Sequence, residues 1–411
     1  MHVGNAQPLA GAPFYFTLPT DAHPSRVRES TATPDPMPRQ THPMSLPAVL
    51  IHDRPGGCLR VAGLSVLERL IVAAHRAGFH PIRVIATVPL PRFRRLAQLG
   101  VTWERLEAVP PVTEDTLVAS SDVLVTVHDL RNLQNRPGVL QSPSGEGLPV
   151  GILSSGSAPD AVRFDDVPPV PAGPVCSRVS DEPSRKAAES ALWRSLRSAT
   201  DGWVDRHLNR PLGRWLSRLL VHTPVSPNQV FLVSILIGIA SGWWFAEGEP
   251  SAAIVGACLL QLSAIIDCVD GDLARVLFKE SRLGRWLDLA GDQFVHLAVF
   301  GGIPLGLYRR GLPAPWAILG ASCVVGLVLS FAAVVRGLKT ARDRSASRLQ
   351  RFIDATTNRD FSVLLLGLAM VDALEWFVWA AAVGIHLFWM TVLGLQLWDR
   401  STASPPRGPS A

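Results

Sequence analysis

Hydrophobic and polar positions alternate in two different rhythms along the chain. Up to about residue 190 the apolar runs are short and broken by Pro, Gly and Ser. Within that half, 47–51 is predicted as a buried strand, 64–77 as an amphipathic helix, and 82–87 as a second strand. Residues 92–99 follow as a short helix and 122–127 as a third, β-branched strand. Strands alternating with helices predict a parallel α/β layer. From 134 to 188 the chain is rich in Pro, Gly and Ser and ends in charge, which reads as the rim of that layer plus a linker. Between 191 and 222, Trp193, Leu196, Trp203, Val204, Leu208, Leu212, Trp215, Leu216 and Leu219 stand among arginines, with apolar residues recurring at three- and four-residue steps. A basic amphipathic helix with Trp is suited to a bilayer interface.

Beyond residue 226 the apolar runs lengthen. Six spans are predicted, at 228–246, 251–270, 285–308, 314–336, 358–373 and 376–398. The fold class is therefore an α-helical membrane protein, a six-helix bundle with an N-terminal cytosolic α/β domain. Basic residues settle its orientation. Arg336, Lys339, Arg342, Arg344, Arg348, Arg351 and Arg359 lie between the fourth and fifth spans, and Arg275, Lys279, Arg282 and Arg285 between the second and third. Loops on the other face carry Glu247, Glu249, Asp372 and Glu375, with only Arg309 and Arg310 dissenting. The positive-inside rule puts both termini in the cytoplasm of a cell whose cytoplasmic membrane holds the bundle.

Composition narrows the picture further. The 411 residues carry a formal net charge of +5. It is spread around membrane ends rather than gathered on one soluble face, so nucleic acid is not an expected partner. The five cysteines form no CxxC or zinc spacing and are expected to be free thiols. No apolar run occurs in the first 43 residues, so no cleavable signal peptide is expected. The expected units are a disordered tail (1–43), an α/β domain (44–180), a linker with the interfacial helix (181–225), the membrane domain (226–398) and a second disordered tail (399–411).

Candidate chemistry lies between the second and third spans. Asp267, Asp270, Gly271 and Ala274 fall at i, i+3, i+4 and i+7, one stripe of a helix. Asp288 and Asp292 are i and i+4 on the next. A carboxylate beside lipid costs about 2.5–3.5 kcal/mol even on lenient scales, so these groups imply a function or a paired partner. Four of them converging from two helices would repel one another unless cations sat among them. All-oxygen ligands suit Mg²⁺ or Mn²⁺, and two such ions about 3.5–4 Å apart clamp displacements at phosphorus. Gly271 and Ala274 leave room against the backbone, Arg275 can neutralise a phosphate, and a partly free carboxylate can deprotonate an attacking hydroxyl.

The full pattern, D-x2-D-G-x2-A-R-x8-G-x3-D-x3-D with Gly284 at its fixed glycine, resembles the signature of the CDP-alcohol phosphotransferases. The resemblance covers roughly 200–398, including Ser226-Pro227-Asn228-Gln229 at the first span. It implies six transmembrane helices, a homodimer, two divalent ions, and attack of an alcohol on the β-phosphorus of a CDP-linked donor with release of CMP. By position it makes Asp267, Asp270 and Asp288 metal ligands, and Asp292 both ligand and general base. Gly271, Ala274, Arg275 and Ser281 would border the CDP moiety, with Asn228 near the cytidine. CDP-diacylglycerol is the favoured donor and a polar alcohol such as inositol or inositol phosphate the acceptor, a step of phospholipid biosynthesis. Soluble CDP-inositol is the alternative donor. Relatives with inositol-type acceptors carry Arg after the last Asp where this chain has Gln293. A phosphorylated acceptor would then need Arg336, Lys339, Arg342 or Arg359.

Residues 59–69, Ala77-Gly78-Phe79 and the strand after them resemble the start of a sugar-phosphate nucleotidyltransferase. Its phosphate loop should be glycine-rich and basic, yet the chain offers only Asp53-Arg-Pro-Gly56-Gly57. A degenerate domain is expected, with Asp129 a turn residue rather than a ligand. Two other classes stand beside the transferase. A cation transporter would want ionisable groups near the midplane in a repeated layout, and an inactive scaffold would not need all four carboxylates.

Overall fold

The computed structural model describes residues 48–110, 115–153, 167–196, 201–340 and 361–402. Its α/β half is built on a seven-stranded sheet. In chain order the strands are β1 (Ala48–His52), β4 (Ile82–Ile85), β5 (Glu104–Leu106), β6 (Thr116–Ser120), β8 (Val139–Gln141), β9 (Gly147–Leu153) and β10 (Pro169–Pro171). They lie in the order β10-β8-β9-β6-β1-β4-β5. The centre is parallel, β1 pairing with both β4 and β6. The sheet as a whole is mixed, because β9 runs antiparallel to β6 and β8. Two short pairs sit outside it: the hairpin of β2 (Arg60–Val61) and β3 (Leu64–Ser65), and β7 (Val123–Leu124) with β11 (Ser177–Arg178).

Three expectations change here. Residues 64–65 are strand, and helix α1 begins at Val66 and runs to Ala77, because the Ser65 hydroxyl caps it by accepting from the Glu68 N–H. Gly78 ends it at φ 95°, which favours glycine. The third central strand is Thr116–Ser120, not 122–127, since Thr126 and Asp129 form a capping box that starts α3 (Val127–Asn135). Lastly, the Pro- and Gly-rich stretch after 134 is no simple rim: it supplies β8, β9, β10 and β11. A short α2 (Arg94–Leu99) lies between β4 and β5.

The expected interfacial helix divides in two. Helix α4 (Glu182–Ser195) buries Trp193 in a cluster with Ala62, Leu64, Val221 and Leu273, the seam between the two halves. Helix α5 (Arg210–Leu220) crosses α7 (Pro250–Val276) with an inverted amphipathicity. Its small and polar positions face inward: Gly213 is so close that a Cβ there would meet Cys268 Cβ at 3.0 Å, and Ser217 is buried. Leu212, Trp215 and Leu219 are exposed, as is Leu208 just before the helix. Apolar out and polar in is the arrangement a helix takes against lipid.

The remaining helices are α6 (Pro227–Ala246), α8 (Arg282–Arg309), α9 (Trp316–Thr340), α10 (Phe361–Met370) and α11 (Leu374–Thr402). Four stretches among the described residues are long and apolar enough to cross a membrane: α6, α7, Trp316–Gly337 and Leu374–Trp398. Two of the six expected spans fall short of that measure, α8 because its first half carries Asp288 and Asp292, and α10 because only 10 residues of it are described. The chain is an integral membrane protein. Glycines set how closely α8 lies on α6. A Cβ at Gly302 would fall 2.3 Å from the Gly242 carbonyl oxygen, and one at Gly291 would fall 2.5 Å from the Phe231 ring. Small residues at such crossings let helix backbones approach. Gly291 sits immediately before Asp292, so this approach fixes the carboxylates of α8.

Candidate active site

The ends of α7 and α8 bring the motif together. Ligand oxygens of Asp267, Asp288 and Asp292 lie within 4.8 Å of one another. Asp267 is buried, Asp292 half-buried and Asp288 exposed, so the group is graded from the bundle interior towards solvent. Asp270 is buried on the same stripe of α7 and lies outside this trio. Three carboxylates and no nitrogen or sulfur donor fit a hard divalent cation.

The residues expected around the nucleotide are spread over the last turns of α7 and the starts of α8 and α6. Gly271 faces open space but for the tip of Arg275, since a Cβ there would meet only Arg275 Nη2, at 3.5 Å. Ala274 is half-buried one turn on. Ser281 caps α8, its hydroxyl accepting from the Gly284 N–H at 2.9 Å. Asn228 is exposed in the first turn of α6, where Ser226 and Gln229 form the capping box. Of the basic residues offered for a phosphorylated acceptor, Arg336 and Lys339 lie on α9, while Arg342 and Arg359 fall outside the described residues.

Arg275 has an anchor that the sequence pattern does not announce. Asp272, fully buried, accepts from Arg275 Nη2 at 3.1 Å and from Arg210 Nη1 at 3.2 Å. Arg210 in turn reaches Asp201 at 3.0 Å. Arg275 Nε also donates to the Gly271 carbonyl at 3.1 Å. The guanidinium is thus fixed across the open face of α7, and α5 is tied to the same carboxylate. The i, i+3 spacing of Asp272 and Arg275 was a legible signal for half of this triad. Arg210, 62 residues upstream, was not.

A cavity of about 760 Å³ opens beside the aspartates. Ile235, Leu260, Val295, Phe300, Phe331 and Phe388 are among its apolar lining, and among the described residues Asp267 and Asp292 are the only acidic ones on its wall. His296 also borders it and packs edge-on against Phe300. An apolar chamber with a few polar groups at one place is the usual form of a small-molecule site.

The α/β half grips the turn that joins α7 to α8. Arg69 on α1 is buried and donates to three carbonyls: Val61 at 2.9 Å, Ala62 at 2.9 Å and Val276 at 3.0 Å. Burial pushes its guanidinium down to about 10, so it stays cationic at neutral pH. Arg76 donates to the Phe278 carbonyl at 2.8 Å and pairs with Glu280 at 2.7 Å, and Arg95 donates to the same Phe278 carbonyl. Arg69 and Arg76 both lie over the Phe278 ring. Phe278 itself has φ 54° and closes α7 in a Schellman turn, with Lys279 N–H bonded to the Ala274 carbonyl at 2.7 Å. A non-glycine residue there costs about 1–3 kcal/mol and persists only where its surroundings over-determine it. Three arginines and two cation–π contacts do so here.

The would-be phosphate loop of the α/β half is filled by its own domain. A Cβ on Gly56 would strike the Val179 carbonyl oxygen at 2.1 Å, and one on Gly57 the Ser121 hydroxyl at 2.3 Å. Arg54 N–H donates to that hydroxyl at 2.8 Å. Asp129 is buried, with one carboxylate oxygen capping α3 and the other accepting from the Gly173 N–H at 2.8 Å. Both of its oxygens are committed to structure.

Residues 224–389 match the model of the family described as CDP-alcohol phosphatidyltransferase. The chain carries a CDP-alcohol phosphatidyltransferase domain. All four motif aspartates lie within the transferase domain, and the seven-stranded sheet lies outside it. The chain is 38% identical over 114 residues to the bifunctional IPC transferase and DIPP synthase of Thermococcus kodakarensis, a stretch covering 28% of this chain and 25% of that protein. It is 26% identical over 172 residues to the archaetidylinositol phosphate synthase of Pyrococcus horikoshii, covering 41% and 87%. It is 34% identical over 125 residues to the CDP-diacylglycerol–serine O-phosphatidyltransferase of Mycobacterium leprae, covering 29% and 39%. The matched stretches span about a quarter to a third of the length of the bifunctional relatives.

Proposed function

We propose that the transferase domain moves a substituted phosphoryl group from a CDP-linked donor to a polar alcohol and releases CMP, as a step of phospholipid biosynthesis. The observation that carries this is the meeting of Asp267, Asp288 and Asp292 beside an apolar cavity of about 760 Å³. CDP-diacylglycerol is the favoured donor, because aliphatic and aromatic walls suit acyl chains and a soluble CDP-inositol would leave them unused. The names of the relatives, two of which act in inositol phosphate or serine lipid synthesis, are consistent with such a donor and leave the acceptor open.

The trio, with Asp270, would hold two Mg²⁺ or Mn²⁺ ions. Bound there, the ions would offset the negative charge that builds on the donor's phosphates and on departing CMP. The protein residues do the rest. Gly271 and Ala274 let the nucleotide lie against α7, with Ser281 and Asn228 at its border. Arg275, held by Asp272, presents a fixed positive charge to the phosphates. Asp292 takes the proton of the acceptor hydroxyl as that oxygen bonds to the β-phosphorus and the bond from phosphorus to CMP breaks.

Six helices crossing the membrane, with both termini and the aspartates in the cytoplasm, complete the proposal. The two dissenting arginines fit it, because both are consumed locally. Arg310 makes a bidentate pair with Asp372 at 2.6 and 2.8 Å, and Arg309 donates to the Ala246 carbonyl at 2.7 Å. The family resemblance adds a homodimer. The α/β half is proposed as a brace for the α7–α8 turn rather than a second enzyme, given its filled phosphate loop. CMP release by the purified chain from CDP-diacylglycerol with Mg²⁺ and a panel of alcohols tests the whole; turnover with CDP-inositol alone would reverse the donor assignment.

A further inference from the structure

A second cavity, of about 670 Å³, lies in the seam between the two halves. The β2–β3 hairpin and the start of α1 form one side, residues 91–98 another, and residues 221–224 with Leu277 and Lys279 the third. Among the described residues it shares no lining residue with the apolar cavity. Arg60, Arg92, Arg94, Arg95 and Lys279 stand on its wall, and among the described residues Glu68 is the only acidic one there.

That Glu68 is a poor counterweight. It is buried, one oxygen accepts from the Arg95 N–H at 3.1 Å, and burial raises its carboxyl above the usual range. The brace uses Arg95 Nη2 but leaves its Nε buried with no hydrogen-bond acceptor. Burial, with Arg95 beside it, draws the Lys279 ammonium below its ordinary value. Cations crowded into a concave, partly dry site focus a positive field, and an orphaned buried donor is unfavourable until an acceptor arrives. Neither the brace nor the transfer chemistry uses Arg60, Arg92, Arg94 or Lys279.

We propose that this seam cavity binds a phosphate-bearing anion, with the half-buried Arg95 and Lys279 as its inner contacts and the exposed Arg60, Arg92 and Arg94 at its mouth. Guanidinium and ammonium groups on several walls match a phosphate's oxygens. The chemistry is common to a soluble phosphate compound and to an anionic lipid headgroup, since Lys279 lies just past the end of α7. Occupancy would bridge the α/β half to the α7–α8 turn.

The test uses the full chain in detergent, with EDTA present so that the aspartates cannot recruit a metal. Calorimetric titration with inorganic pyrophosphate is one arm, and titration with dihexanoyl phosphatidylglycerol against dihexanoyl phosphatidylcholine the other. Saturable binding of pyrophosphate, weakened about tenfold or more in Lys279→Gln and Arg60→Gln, supports the site with a soluble ligand. Saturation by the phosphatidylglycerol alone, with the same loss in the variants, supports it with a headgroup. Arg92→Gln, at the exposed mouth, gives the same reading if an inner variant fails to fold. Binding of neither probe, or binding that all three variants retain, overturns the proposal.

Discussion

Arg69 Nη1, on the first helix of the α/β half, donates to the carbonyl oxygen of Val276 at 3.0 Å, across 207 residues of sequence. Val276 is the last residue of the helix that carries Asp267 and Asp270. The bond therefore ties the domain with the filled phosphate loop to the geometry of the carboxylates.

Arg69→Ala removes all three of its carbonyl contacts and the charge over Phe278. Each buried carbonyl left without its donor costs about 1–3 kcal/mol. The expected result is a clearly lower thermal midpoint in detergent, together with a fall in kcat for CMP release that exceeds any change in KM for the alcohol. Wild-type turnover in a stably folded variant would mean that the brace does not position the site.

Asp272→Asn keeps the shape of the residue that anchors Arg275 and Arg210 and removes its charge. Two guanidinium groups are then left beside a neutral amide in a buried place, which is costly. Folded yield is expected to drop, and the folded fraction is expected to need more CDP-linked donor for half-maximal rate. Donor titration of the purified variant checks this.

The apolar cavity predicts a dependence on chain length. Ala264→Trp would fill part of it with a rigid indole. The expected outcome is a rise in KM for long-chain CDP-diacylglycerol with little change for a dihexanoyl donor. Equal effects on both donors would detach the cavity from donor binding.

Much of this site was legible in sequence, and the reasons it was only part are physical. The helical stripe of Asp267, Asp270, Gly271 and Ala274, and the i, i+4 pair on α8, rest on local periodicity, which a sequence displays directly. Burial of Asp272 was not local: its partner Arg210 arrives from a helix that turns its polar side inward, contrary to the usual expectation for an amphipathic segment. Trp193 read as an interfacial aromatic and is instead seam core, because residues 61–64 of the other half cover it. The stretch after 134 read as linker since Pro and Gly mask short strands at the edge of a sheet. The bonds of Arg69, Arg76 and Arg95 to the carbonyls of the α7–α8 turn were not legible, because backbone acceptors leave no partner side chain in the sequence and lie 183–207 residues away.

Metal removal separates the proposed chemistry from a scaffold. Dialysis against EDTA is expected to abolish CMP release, and Mg²⁺ or Mn²⁺ to restore it. The thermal midpoint should also rise on adding either ion to the wild type and stay unmoved in Asp267→Asn, a readout that does not depend on turnover.

The most direct measurement is CMP release from CDP-diacylglycerol by the wild type, Asp292→Asn and Asp270→Asn at saturating Mg²⁺. The account predicts turnover in the wild type and a loss of at least about 10²-fold in each variant. Wild-type-like release of CMP by Asp292→Asn would contradict it.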